Sequence, residues 1–146
     1  MNKMIYRKHF LWLTIVYSVF STPLFAHTLT ISCPHDDISL KVELAETPRE
    51  QAKGLMFRKH LEKDAGMLFL YPTPSPLAMW MKNTPLSLDM VFGDEAGKIL
   101  AIHENTIPYS LQIIGPVEGA TQVLEIVGGS VQKHDITKSC MLTLDR

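Results

Sequence analysis

The two cysteines constrain this chain most. Cys33 and Cys140 stand 107 positions apart, each in a short strand-like run, TLTISC (28–33) and SCMLTL (139–144). Joining them would tie the first strand of the domain to the last. In the chain-entropy model, closing a loop of that length stabilises the fold by on the order of 4–5 kcal/mol. The alternative is two buried free thiols. The choice depends on the compartment, since disulfides persist where the surroundings are oxidising.

The N-terminus addresses the compartment. Residues 1–9 carry Lys3, Arg7 and Lys8 and no acid, residues 10–20 (FLWLTIVYSVF) are almost wholly apolar, and STPLFA follows. This basic, apolar, small-residue order is that of a secretory signal peptide ending at Ala26. Eleven apolar residues span only about 16 Å as a helix, short of a hydrocarbon core of roughly 30 Å. Cleavage and export are therefore expected: periplasmic in a Gram-negative source, secreted otherwise. The cysteines are expected to pair, and no membrane span is expected after cleavage. Three of the 14 basic residues and none of the 15 acids fall in 1–26, so 27–146 holds 11 against 15, a net charge of −4. With no basic cluster, nucleic acid is not an expected partner.

Residues 27–146 read as one small domain. Segments 28–33 and 38–45 alternate apolar and polar, as half-buried antiparallel strands do. Thr47-Pro48-Arg49-Glu50 is a capping box with proline at N1, and Gly54 ends the helix within two turns. Residues 66–71 (GMLFLY) form a buried strand, and the prolines of 72–76 (PTPSP) predict a rigid loop. Strands at 77–82 and 86–93 follow, with a turn at 94–97 into 98–104. Residues 105–119 read as loops around an apolar fragment. Residues 122–127 are a strand, 128–134 hold a one-turn helix, and 141–144 close the chain. The pattern predicts a mainly β (α+β) domain, a compact small barrel or sandwich of mostly antiparallel strands with one or two short helices.

The stretches AETPREQAKGLMFRKHL, GMLFLYP, MWMKNTPLSLDMVF, DEAGKILAI and VLEIVGG, taken in that order, resemble the UPF0127 family, the DUF192 domain, from about residue 38 to 144. The signature positions here include Gly54, Met56, Arg58, Gly66, Met67, Trp80, Met81, Asn83, Thr84, Asp89, Glu125 and Gly129. The resemblance implies a compact, mainly β, often exported domain and carries over no catalytic residue. Two departures stand out. Gln51 occupies a position where members commonly have arginine, and Lys138-Ser139 replaces a Gly-Asp pair before the last strand.

Three functions compete. A non-catalytic binding or accessory module of the cell envelope is the leading reading, with Arg58, Trp80, Lys82, Asn83, Thr84, Asp89 and Glu125 as ligand-binding candidates. An indole face stacks on a ligand while amides orient it, and the partner would be an envelope component or a small molecule. No cofactor is expected. The second reading is a soft-metal site for copper or silver, built on Met79 and Met81 at i, i+2 with Trp80 and His103. The third is an acid–base hydrolase that pairs Asp89 with Glu125, both carboxylates inside apolar strands. Against catalysis, Asp89 could instead accept hydrogen bonds from Asn83 and Thr84 in a corner holding 77–82 and 86–93 in register, and Glu125 could pair with Arg58. Arg58 and Trp80 are expected to border the functional cleft.

Overall fold

The computed structural model describes residues 27–145, so the expected signal peptide lies outside the described residues. Seven strands form one sheet in the order β5-β4-β6-β3-β2-β1-β7. They are β1 (His27–Ser32), β2 (Asp37–Ala45), β3 (Ala65–Met79), β4 (Leu88–Gly93), β5 (Ile99–His103), β6 (Ile114–Val127) and β7 (Met141–Asp145). Helix α1 (Pro48–Lys53) lies in the crossover from β2 to β3, the one parallel pair, and α2 (Ser130–Lys133) follows β6. The class is mainly β, as the alternation predicts.

The sheet is buried on both faces. Leu29, Ile31, Val42, Leu68, Val91, Leu124 and Leu142 pack on one side, around Val131 of α2. Leu55, Met67, Phe69, Met79, Met81, Leu88, Met90, Phe92 and Val123 pack on the other, beneath α1 and the loops beside it. Two-sided burial explains why β4 (LDMVFG) is buried at every position and does not alternate.

The sheet curls until its two edges touch. Lys98, next to β5, bridges Met141 of β7, and the Leu142 N–H donates to the Gly97 carbonyl at 2.8 Å. Gly97 has φ +85, and a Cβ there would run into the Leu142 carbonyl, so glycine is required at the seam. Cys33 and Cys140 are bridged, as the compartment argument expects. The bridge joins the ends of two neighbouring strands, β1 and β7.

Three expectations fail, two of them at proline and glycine. PTPSP lies inside β3, because a proline φ near −65° suits extended backbone, and the missing N–H groups appear as register shifts between Leu70 and Met79. β6 begins at Ile114, eight residues before the expected strand, and runs through Gly115 and Gly119 at positive φ to pair with that proline segment. The expected pairing of 77–82 with 86–93 does not form, since β6 lies between β3 and β4. No helix among the described residues is long and apolar enough to cross a membrane.

Candidate functional site

Helix α1 builds one wall of a cleft that holds several of the candidate residues. The Thr47 hydroxyl accepts from the Glu50 N–H at 3.3 Å, and the Glu50 carboxylate accepts from the Thr47 N–H at 2.9 Å, closing the predicted capping box. Hydrogen bonds from the Thr47 backbone and hydroxyl, then from the Glu46 backbone, hold the Glu50 carboxyl below its ordinary range. Gln51 donates from Nε2 to the Leu70 carbonyl at 2.7 Å and so docks the helix onto β3. Gly54 ends α1 at φ +47, where a Cβ would come within 2.9 Å of the Phe69 ring.

The cleft between α1 and the sheet has a volume of about 240 Å³. Its lining includes Gln51, Lys53, Met56, Phe69, Tyr71, Met79, Trp80, Lys82, Thr84 and Glu125. Trp80 stands just past the end of β3 and is 44% exposed. The Lys82 ammonium lies over its ring, 4.9 Å from the centroid.

Glu125 distinguishes this cleft from an ordinary surface groove. It sits mid-strand in β6, only 4% exposed, directly opposite Met67 of β3 and Met90 of β4. Its carboxyl makes no hydrogen bond or ion pair with any described residue, yet every buried side-chain oxygen and nitrogen shut away from solvent has a partner. The carboxyl therefore reaches the cleft. Burial raises its pKa to about 8, so it is mostly protonated at neutral pH. Tyr71 beside it is also raised, first by burial and then by the Glu125 charge.

The other candidates scatter. Arg58 makes a bidentate ion pair with Glu43 at 2.6 and 2.5 Å, so it pins the loop after α1 to β2, pairs with neither Glu125 nor the cleft, and corrects both expectations. Asp89 is fully buried and accepts from the Asn105 N–H at 2.7 Å and the Val131 N–H at 2.8 Å. The expected corner with Asn83 and Thr84 is therefore absent. Asn83, at φ +54, donates to the Met56 sulfur at 3.8 Å, and the Thr84 hydroxyl donates to the Lys82 carbonyl at 3.1 Å.

The acid pair is absent too. Asp89 is opposite Ile126 while Met90 is opposite Glu125, so the two carboxylates face opposite sides of the sheet. The methionine pair is split because β3 ends at Met79. Met79 lines the cleft, whereas Met81 and His103 line a separate cavity of about 410 Å³. Among the described residues, no three His, Cys, Asp or Glu side chains gather as a metal site would need.

Sequence reasoning missed Gln51, Phe69 and Tyr71. The alternation of Met67, Phe69 and Tyr71 along β3 was a usable signal, since period 2 puts all three on the Glu125 side.

The family model for DUF192, described as "Uncharacterized ACR", matches residues 31–144. The chain belongs to the DUF192 family. It is similar to a solved structure of a provisionally named transcription regulator from Sinorhizobium meliloti 1021, at 37% identity and TM-score 0.78, covering 80% of this chain and 92% of that one. It is also similar to a protein of unknown function from Novosphingobium aromaticivorans DSM 12444, at 33% identity and TM-score 0.77, covering 80% and 83%. No curated protein matches it. This DUF192 domain thus has relatives of known structure and a family of uncharacterised function.

Proposed function

We propose that this DUF192 protein is an exported, non-catalytic module of the cell envelope that binds a small ligand in the Trp80 cleft. The observation that carries this reading is Glu125. Burying a carboxyl without a partner costs stability, and such a group is retained where something else supplies the partner. A ligand resting against the exposed indole would do so.

A binding role fits better than a catalytic one. The second carboxylate that hydrolysis by an acid pair requires faces the other side of the sheet, and the cysteines are bridged. Transcription regulation, the role in the name of the Sinorhizobium structure, is poorly supported in the form of DNA binding by a net charge of −4 over 27–146. Export is supported by the disulfide and by the order of residues 1–26.

The test is thermal unfolding with a panel of amines, wall sugars and soft metal ions. A true ligand at about a hundred times its Kd adds about 2.7 kcal/mol and raises Tm. Trp80→Ala, at a half-exposed position, should still unfold cooperatively from its own unliganded Tm and should abolish the shift. A shift that survives in Trp80→Ala places the ligand elsewhere.

A further inference from the structure

The cleft combines features that point to one chemistry. Phe69 and Tyr71 on β3 and Trp80 just beyond it bring three aromatic rings to the lining, and the unpartnered Glu125 carboxyl opens into the same space. The Trp80 face already holds one ammonium, that of Lys82. We propose that the cleft binds a small alkylated ammonium ion, with its charge directed at Glu125 and its alkyl groups against Trp80, Tyr71 and Phe69. This rests on the ligand-binding reading above and names the class of ligand.

Aromatic faces attract ammonium groups through their quadrupole, and quaternary ammonium ligands are held in this way. A buried carboxylate supplies the counter-charge that the rings alone lack. At about 240 Å³ the space suits a small cation better than a drug-sized molecule. A hard divalent ion would need six or more oxygen ligands, whereas Glu125 is opposite two methionines. The nearby thioethers, Met56 and Met79, add polarisable surface that suits alkyl groups.

Protonation then couples to binding. Burial keeps Glu125 protonated up to about pH 8, so a permanent cation binds with loss of that proton. Affinity should rise about tenfold per pH unit below 8 and level off above it. The other titratable groups on this face are Tyr71 of β3, Lys53 of α1 and Lys82 in the loop after β3. Glu43 of β2 is held by Arg58, and His103 of β5 lies beyond Met90 in the same cross-strand row.

The experiment is calorimetric titration of the full chain with choline chloride at pH 6, 7 and 8, beside its uncharged isostere 3,3-dimethylbutan-1-ol, N-acetylglucosamine and silver(I). Saturable choline binding is expected, about tenfold tighter at pH 7 than at pH 6, with the isostere at least tenfold weaker. Glu125→Gln should remove the pH dependence while Tm confirms that it folds, and Trp80→Ala should weaken choline binding independently. Equal affinity for choline and its isostere, or binding of the sugar or silver alone, overturns the ammonium proposal and leaves the cleft reading standing. No binding by any of the four overturns the ammonium proposal, and the cleft reading falls with it if the wider panel also leaves Tm unmoved.

Discussion

Two buried carboxyls on adjacent strands have opposite tasks. Asp89 accepts from the Val131 N–H, where no side chain of α2's own cap does so, and from the Asn105 N–H in the loop after β5. Asp89→Ala should leave both N–H groups short of an acceptor and cost about 2–4 kcal/mol in urea unfolding. Glu125 has no such bonds. Its pKa rises on folding from an ordinary 4.5 to about 8, so the folded state binds the proton more tightly. The resulting stability is fully present below pH 4.5 and is lost as pH rises to about 8, by at most ~5 kcal/mol. Urea midpoints of wild type and Glu125→Gln between pH 5 and 8 should therefore diverge, with the variant keeping more of its stability at the alkaline end. A parallel fall in both proteins would contradict the raised pKa. Both acids were visible in the sequence as carboxylates in apolar strands. Their division of labour was not, because a one-residue offset in register decides the face, and register is fixed by partners far along the chain.

Among the elements, α1 was the most legible, since its capping box and terminal glycine are local devices that read the same in sequence and in structure. The ribbon of β3 and β6 was the least. Its prolines and glycines carry loop signals, and only pairing of the two irregular strands with each other makes them extended. Running the expected strand 77–82 past Met79, where β3 ends, is what placed Met79 and Met81 together. The hairpin between β4 and β5 was anticipated in place but not in purpose, because Gly97 serves the distant β7 as well as its own turn. Gly97→Ala should destabilise by at least ~2 kcal/mol, from positive φ and collision with the Leu142 backbone. Hydrogen exchange should show the loss concentrated at Leu142, whose N–H would lose its acceptor. Uniform loss across the sheet would count against a local seam.

At the scale of the molecule, the paired cysteines conveyed more than any periodicity did, since they placed the ends of the chain together before any strand order was known. Replacing both with serine should lower stability by up to about 4–5 kcal/mol, measured by urea unfolding beside the oxidised protein. A smaller loss would mean that the unfolded chain is already compact. The adjacency of β1 and β7 also bears on the order of synthesis. Residues 140–145 are the last described part to leave the ribosome, and until they emerge β1 lacks its second neighbour and Cys33 has no thiol to meet. The nascent chain cannot lock. A sheet that closes on itself only through its final strand stays open along one edge until that strand arrives.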